Sequence, residues 1–568
     1  MTPARAEAAP KRMAPRPELV DEGLPRRRPH WVGVATSADH KVTGKVLIAA
    51  ALGFLLPAVI EFLMMRLQLA IPENGFLSPV TFNRMLSMYG ATAIFLFALP
   101  LIYGLIHYLV PLQIGARGTA LPRLSQLGMW LFVAGATVFY LSFWYTPPES
   151  GTTGIAPLSE AQFMPSHGVT VWATGAALTI LGFVLMSLNL ATTLRNMRAP
   201  GMAWRRLPVI SWAGTICTWL MLILGPVMLA ALTMLLIDRN FDGAFFEGEA
   251  GSPLLWQHMS WLFFTGVYVA VIVFAFGALS EIVPAMSRRR LLDRRVVIAS
   301  LIGLAVLGTM AWLQNMLSAP IGIGWMYFAM LMALAAIVPI GLLIYNLLGT
   351  MAGGTLQMRA PLLWAVGALS VMTIGLASEI CHTLVASAWQ VSGTTDATAA
   401  THYALIGGAV FGGFAALHFW FPKITGRTMG EYLARFSFWT LLAGVNLTFA
   451  PLFLAGVQGQ VADAYKYFPN SDVSAYNLIA TIGSFILAIG IILTLVNAVL
   501  SLKNGPRAGH DPWGGDSLEW FALSPPPAHN FDVLPDVRSP EPLRDLREAV
   551  GRRSGNGRAE AGSARPVA

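Results

Sequence analysis

Charged residues and cysteines are both scarce in this chain. Only 12% of the 568 residues are charged, whereas 55% are hydrophobic. Because soluble globular chains carry about 25% charged residues, the composition excludes an ordinary soluble domain and predicts that most of the chain lies in lipid. The two cysteines, Cys217 and Cys381, both fall within apolar runs. Their placement argues against a disulfide framework and against a metal motif built on paired cysteines.

Long apolar runs, in contrast, are abundant. Each of twelve runs is long enough to cross a hydrocarbon core of about 30 Å. Since backbone amides in lipid must be satisfied within their own segment, every run is predicted to be a helix, and the fold class is an all-α membrane protein. The first 40 residues contain no apolar run, which predicts no cleaved signal peptide. The predicted spans are residues 44–65, 86–111, 125–146, 168–193, 211–236, 257–284, 296–317, 323–349, 361–386, 399–421, 436–457 and 474–502.

The net charge of +8 is concentrated on one side of the predicted membrane. Arginine and lysine recur in the N-terminal arm and in the even-numbered connections, whereas residues 147–167 contain neither. The positive-inside rule therefore predicts that both termini are cytoplasmic, and the charge gives no reason to expect a nucleic-acid partner. We predict a disordered cytoplasmic arm (1–38), a twelve-helix domain (39–505) and a cytoplasmic tail (506–568).

Short motifs stand at residues 39–41, 65–70, 108–112, 114–117, 195–202, 238–241, 420–423, 425–427, 446–449, 511–514, 518–520 and 524–527. These segments resemble subunit I of the bacterial cytochrome c oxidases, members of the haem–copper oxidase superfamily. They occur in the family's order and extend from about residue 38 to about residue 545. The resemblance implies that family's twelve-helix bundle in the bacterial cytoplasmic (inner) membrane.

The haem-ligand motifs of the family are altered in this chain. In the second span the family's M-H-G-T reads Met88-Tyr89-Gly90-Ala91, so Tyr89 stands at a low-spin haem ligand. In the tenth span H-F-H-Y reads Ala400-Thr401-His402-Tyr403. Ala400 thus replaces the high-spin haem ligand, and His402 is the one low-spin ligand that the resemblance retains.

The copper site of the family needs three imidazoles, because neutral nitrogen donors suit copper. The resemblance places Thr265 at the first of these positions and Gln314 and Asn315 at the other two. Neither a hydroxyl nor an amide replaces imidazole, so the chain is predicted to bind no copper. The positions of the family's proton-delivering residues hold Gly118, Val267 and Leu343, and residues 460–464 contain none of the arginines that hold haem propionates.

Helix depth gives a second prediction about these positions. Tyr89 and His402 lie three or four residues inside the outer ends of their predicted spans, with Gln314 and Asn315 near an outer end. At 1.5 Å per residue, all of them are expected in the outer third of the bilayer, lining one emptied site.

His402 has two interpretations. It could hold a haem alone or with Tyr89 opposite, or it could be a buried imidazole hydrogen-bonded to Tyr89 at about 2.6–3.2 Å. The prediction is that no cofactor is bound, with haem at His402 as the alternative. Glu379, Cys381 and His382 form a further candidate, as a site or as a solvated interfacial group.

The sequence favours a subunit I-like membrane protein that neither reduces oxygen nor pumps protons. Its predicted role is structural, assembly-related or regulatory within a respiratory complex. Membrane lipid and possible subunit II-like, subunit III-like and cytochrome c partners follow from the resemblance. The alternatives are a single-haem electron carrier or gas sensor using His402, a solute conduit, and an active terminal oxidase as the family name implies.

Overall fold

The computed structural model describes residues 33–34, 36–247, 251–316, 319–469 and 471–550. Most of the predicted N-terminal arm therefore lies outside the described residues. Within the described ranges, twelve helices are long and apolar enough to cross a membrane, as predicted. They are α1 (His40–Gln68), α2 (Pro79–Gln113), α3 (Pro122–Tyr145), α4 (Gly168–Asn196), α5 (Val209–Phe241), α6 (Pro253–Ser287), α7 (Arg294–Met316), α8 (Ile323–Ala352), α9 (Ala360–Thr383), α10 (Thr395–Thr425), α11 (Glu431–Val457) and α12 (Ser474–Asn504).

Capping side chains and a proline mark the first turns of several helices. Asp39 caps α1 by accepting a hydrogen bond from the Lys41 amide at 2.9 Å, and Asp293 caps α7 in the same way. Ser78 caps α2, and Pro79 occupies its first turn. A polar side chain that accepts from the first turn and a proline without an amide hydrogen both suit a helix start, where backbone donors lack partners.

The start of α2 corrects the predicted depth of the site. The helix begins at Pro79, before the apolar run, so Tyr89 lies ten residues inside it, about 15 Å along its axis. Helix α10 likewise begins at Thr395, seven residues before His402. The expectation of three or four residues was wrong because the first turns of both helices are polar, and apolar content alone does not reveal them.

Three helices form the centre of the bundle. The most apolar windows of α2 and α10 are both 89% buried inside the protein, and that of α6 is 83% buried. The corresponding window of α8 is only 22% buried, as expected for a helix that faces lipid. The residues that the resemblance assigned to haem and to the first copper ligand therefore lie on the three central helices.

Glycines allow the helices to approach closely. A Cβ atom on Gly44 of α1 would lie 2.7 Å from the Gly104 carbonyl oxygen of α2. On α4, a Cβ atom on Gly175 would lie 2.4 Å from the backbone nitrogen of Phe139 in α3. Small residues promote helix association in membranes because they let backbones touch.

The described part of the tail packs onto the bundle end that carries the even-numbered connections. Glu519 accepts hydrogen bonds from Gln113 and Trp420 at 3.0 and 3.2 Å, and Lys423 donates to the Ala522 carbonyl at 2.7 Å. Trp520 is buried as well. The predicted boundary at residue 505 marks the end of α12, but the residues beyond it continue the same packed body.

Candidate functional site: the positions of the family's metal centres

Helices α2 and α10 share an irregularity near the candidate site. Each contains a π-helical segment, Thr92–Ala98 in α2 and Ile406–Gly412 in α10. Tyr89 lies three residues before the first and His402 four residues before the second. Insertions of this kind are frequent at functional sites because they change which side chains face inward. Tyr89 and His402 therefore occupy corresponding positions, each one turn before the π-helical segment of its helix.

Tyr89 and His402 form a direct hydrogen bond across the interface between α2 and α10. The Tyr89 hydroxyl lies 3.0 Å from His402 Nε2, and the two rings are nearly parallel, with an interplanar angle of 5°. On its other side the His402 ring bonds the Thr398 carbonyl through Nδ1 at 2.7 Å. With Nδ1–H donating to this carbonyl, Nε2 accepts from the tyrosine. The distance expected for a haem-free pair is confirmed.

Aromatic rings fill the space around this pair. Phe62 of α1 lies 5.3 Å from the Tyr89 ring, measured between centroids, and Phe449 of α11 lies 5.0 Å from the His402 ring. Phe62 and Phe449 also face each other at 6.0 Å. These contacts place the pair against aromatic rings of α1 and α11.

The arrangement does not fit a haem held between the two residues. Bonds from a metal to nitrogen or oxygen are about 2 Å long, so ligands on opposite faces of a haem iron lie about 4 Å apart. The 3.0 Å between the Tyr89 oxygen and His402 Nε2 is too short for an intervening iron. A five-coordinate haem on His402 would also have to break the tyrosine hydrogen bond.

The region assigned to the propionate arginines is an amide network. Asn477 donates to the Gln460 side-chain oxygen at 2.8 Å, and Arg66 of α1 donates to the Asn477 carbonyl at 3.0 Å. Arg66 is a buried cation, 4% exposed, that sequence analysis noted only within a matching segment. It donates its hydrogen bonds to carbonyl, amide and hydroxyl oxygens of Asn477 and Thr481 in α12.

The three copper-ligand positions form a second polar group between α6, α7 and α9. Asn315 Nδ2 donates to the Thr265 hydroxyl at 3.1 Å, and Gln314 Nε2 donates to the Thr383 carbonyl at 3.2 Å. The Gln314 side-chain oxygen is buried without a hydrogen-bond partner among the described residues. Hydroxyl and amide groups do not supply the neutral imidazole nitrogens that suit copper.

Ala400, at the high-spin haem position, is buried where α9 and α10 approach each other. A Cβ atom on Gly375 of α9 would lie 2.8 Å from the Ala400 carbonyl and 2.3 Å from the Ala404 nitrogen. The predicted single emptied site is thus resolved into two groups, the Tyr89–His402 pair and the Thr265–Asn315 region.

A third polar group contains a residue that sequence analysis missed. His382 Nε2 lies 3.0 Å from Asp396 Oδ2, and His382 Nδ1 lies 3.6 Å from Glu379 Oε2. Thr401 donates to the other Glu379 oxygen at 3.1 Å. Asp396 escaped notice because it precedes the apolar run of α10. Cys381, which was predicted as part of this candidate, is exposed and does not join these contacts.

The two carboxylates contact opposite nitrogens of His382, so these contacts form a chain and not a chelate. Across the described residues, no group of three or more histidine, cysteine, aspartate or glutamate side chains is arranged to hold a metal ion. A second missed residue, Glu61 of α1, accepts a hydrogen bond from Tyr140 at 3.4 Å. It is one isolated carboxyl in an apolar run, and buried ionisable groups in membranes are functional candidates.

Two of the three positions that the resemblance assigns to proton delivery carry apolar side chains. Val267 and Leu343 are both buried, and Val267 borders a cavity of about 10 Å³ that is also lined by Leu224 and Ala270. A cavity of this size can hold at most one water molecule, and water needs several polar partners. The lining of this cavity is almost wholly apolar and offers little that could relay protons.

Comparisons with known proteins agree with this fold. A family model described as "Cytochrome C and Quinol oxidase polypeptide I" matches residues 42–486. The chain is 36% identical to cytochrome c oxidase subunit 1 of Bacillus subtilis over 513 residues, covering 89% of this chain and 82% of that protein. It is 34% identical to a probable cytochrome c oxidase subunit 1-beta of Nocardia farcinica, covering 98% and 97%.

Two further similarities complete this picture. A quinol oxidase subunit 1 of Bacillus subtilis is 33% identical, covering 91% of this chain and 81% of that protein. A solved haem–copper terminal oxidase dimer has a chain that superimposes with a TM-score of 0.73 at 14% identity, covering 90% of this chain and 89% of that chain. This last similarity concerns the fold alone. Together with the family match over residues 42–486, these relatives show that the chain belongs to the cytochrome c and quinol oxidase polypeptide I family.

Proposed function

We propose that this chain is a cytochrome c oxidase subunit I-like membrane protein that neither reduces oxygen nor pumps protons. Its proposed role is that of a structural, assembly or regulatory component of a respiratory complex in the bacterial cytoplasmic membrane. The observation that carries the proposal is the Asn315–Thr265 hydrogen bond at 3.1 Å. It joins two positions at which the family's chemistry requires metal-binding imidazoles.

The Tyr89–His402 hydrogen bond supports the same proposal at the low-spin haem position. A haem would have to displace this bond and the Phe62 and Phe449 rings packed around it. The single-haem electron carrier or gas sensor remains the second candidate, because His402 retains an imidazole at a haem-ligand position. When bound, a haem would supply electron-transfer or gas-binding chemistry there.

Metal analysis and oxygen uptake test the proposal together. The purified full chain should contain no stoichiometric copper and should consume no oxygen with reduced cytochrome c or a quinol. Elemental analysis showing one copper per chain, together with cyanide-sensitive oxygen uptake, would overturn it. A visible spectrum of the same sample separates the two candidates, since a Soret band at one haem per chain favours the carrier or sensor.

The proposed partners are subunits II and III of an oxidase. The matching tail segments do not support this, because Trp513, Leu518 and Trp520 are buried within this chain. Better support comes from the bundle end that carries the odd-numbered connections, where Trp144 is 82% and Phe468 is 81% exposed. Exposed aromatic residues there suit either a partner subunit or lipid head groups.

Co-purification distinguishes these two uses of the exposed surface. The tagged full chain, extracted from its own membranes in mild detergent, should bring down a subunit II-like or subunit III-like protein identified by mass spectrometry. Trp144→Ser with Phe468→Ser should weaken this association, and Tyr432→Ser, at an exposed residue of the opposite end, should not. Recovery without any oxidase subunit contradicts the role in a complex.

The proposed orientation has both termini in the cytoplasm. It is supported by the arginines of the even-numbered connections. A phosphatase fused after residue 505 should be inactive and a cytoplasm-dependent fluorescent protein at the same point should fold. The reverse pattern would contradict the orientation.

A further inference from the structure

The connection between α3 and α4, residues 146–167, packs against α2 beside Tyr89. Thr152 of this connection packs directly on Gly90, the residue after Tyr89. A Cβ atom on Gly90 would lie only 2.2 Å from the Thr152 hydroxyl. The connection is therefore in contact with the backbone next to Tyr89.

Arg239 of α5 holds this connection in place. Its guanidinium donates hydrogen bonds to the carbonyl oxygens of Met164 and Ser166 at 3.0 and 2.8 Å, and to that of Ser159. The same side chain reaches the Thr170 hydroxyl at the start of α4 at 3.2 Å. One cation thus fastens three carbonyl groups of a single connection.

Glu160 lies between Ser159 and Met164, two of the residues whose carbonyl groups Arg239 holds. Its side chain is buried, with 0% exposure, and neither carboxyl oxygen has a hydrogen-bond partner among the described residues. A buried charge without partners is strongly unfavourable, so such a group is held in its neutral form. Ionisation of the Glu160 carboxyl therefore destabilises the closed arrangement of the connection.

The charged neighbours of Glu160 come from α5 and from the connection that follows it. Asp238 and Glu247 are carboxylates that disfavour a further negative charge, and Arg239 is the one opposing cation. Asp238 is held by the backbone amides of Phe245 and Phe246, and its position is therefore fixed. Burial first, and these two carboxylates second, raise the pKa of Glu160 to about 8.

We propose that residues 146–167 form a pH-controlled lid over the Tyr89–His402 pair, with Glu160 as its switch. The lid is closed while Glu160 carries its proton, and loss of the proton to the external water opens it. The proposal does not depend on the role of the chain in a respiratory complex. It holds for a haem-free pair and for a haem-binding one.

The direction of the pH effect follows from linkage. The closed state binds the proton more tightly than the open state, in which a glutamate titrates near 4.3. Opening should therefore become about tenfold more favourable with each pH unit above that value, and should level off near pH 8, where the closed state also loses the proton.

Hydrogen–deuterium exchange on the full chain in lipid nanodiscs tests this. Opening of residues 146–167 between pH 5 and pH 9, corrected for the pH dependence of chemical exchange, should rise in the parent protein and stay flat in Glu160→Gln. Glu149→Gln, in the same connection but ion-paired to Arg84 at 2.8 Å, should behave like the parent. A flat parent profile, or equal profiles for the parent and Glu160→Gln, would overturn the proposal.

Two further measurements keep the test decisive if Glu160→Gln does not fold. Glu247→Gln removes a neighbouring carboxylate, so the pH at which opening levels off should become lower. An unchanged levelling pH contradicts the switch.

Modification of histidine by diethyl pyrocarbonate tests whether the connection covers the Tyr89–His402 pair. The rate at which His402 is modified in the parent, relative to the rate in Glu160→Gln, should rise steeply from pH 6 to pH 8 and level off above it, and a constant ratio contradicts the lid.

Discussion

The amide nitrogen of Asn315 lies 3.1 Å from the hydroxyl oxygen of Thr265 and donates a hydrogen bond to it. The two side chains come from α7 and α6, and each stands at a position where the family resemblance expects a copper-binding histidine. The Thr265 side chain is half-buried, whereas that of Asn315 is exposed. Paired, they connect α6 and α7 without a metal.

Restoring the imidazoles should restore copper binding. The parent chain is expected to bind no stoichiometric copper, whereas Thr265→His, Gln314→His and Asn315→His combined should gain up to one copper per chain, because three neutral nitrogen donors suit that metal. Elemental analysis after dialysis measures this. Thr265→Ala with Asn315→Ala is the matched control that removes the hydrogen bond without adding ligands. Stoichiometric copper in the parent would show the site assignment to be wrong.

Removing the tyrosine hydroxyl should destabilise the α2–α10 interface. Tyr89→Phe keeps the ring packed on Phe62 but leaves His402 Nε2 without its hydrogen bond. The expected loss is about 1–2 kcal/mol in the free energy of unfolding, measured as a lower Tm in detergent. Tyr345→Phe is the control, since that side chain is 66% exposed on α8. Equal Tm values for the two variants would contradict a stabilising role for the bond.

Any haem in the purified chain should depend on His402. If a Soret band is present, His402→Ala should abolish it while the far-ultraviolet circular dichroism stays helical, because no other histidine occupies a haem-ligand position in the family resemblance. His258→Ala, a histidine packed on Trp312, serves as the control. A band that survives His402→Ala would place the ligand elsewhere.

Stability should fall with rising pH through the titration of Glu519, which lies outside the spans. Burial raises the pKa of this carboxyl above its ordinary value, although Gln113, Ser517 and Trp420 donate hydrogen bonds to it and oppose the shift. The folded state thus holds the proton more tightly than the unfolded one. The contribution is fully present below about pH 4.3 and is lost as pH rises through the higher folded pKa.

Glu519→Gln should therefore weaken the decrease in Tm between pH 5 and pH 7. Asp536→Asn, with a side chain 82% exposed, is the control and should retain the parent's pH dependence. If Glu519→Gln follows the parent, the buried carboxyl is not the group responsible.

Glycine contacts between α3 and α4 should tolerate no larger side chain. Gly175→Val would place atoms on the backbone of Phe139, where even a Cβ would lie 2.4 Å from the nitrogen. Overpacking typically costs about 1–3 kcal/mol, and the variant should show a lower Tm and less protein in the membrane. Gly341→Val on α8 is the matched control because a Cβ there meets nothing within 4 Å. Similar Tm values for both variants would contradict the close contact.

Residue order along the chain was sufficient to predict the spans and the family, since apolar length and motif identity are local properties. The starts of α2 and α10 were not predicted well, because their polar first turns carry no hydropathy signal. The Tyr89–His402 bond could be predicted, since the family motifs place both residues on the same haem. Asp396 was missed because its partner His382 lies fourteen positions away on another helix.

The sequence by itself determined that this is a twelve-span membrane protein of the oxidase family, and its resemblance to that family assigned Thr265, Gln314, Asn315 and Ala400 to ligand positions. Only the tertiary structure decided what fills those positions. The packing of the helices determines that Asn315 donates a hydrogen bond to Thr265, whereas Gln314 donates one to the Thr383 carbonyl. It likewise places Thr152 on Gly90 and leaves the buried Glu160 carboxyl without a partner among the described residues, because these contacts join segments that are distant in the chain.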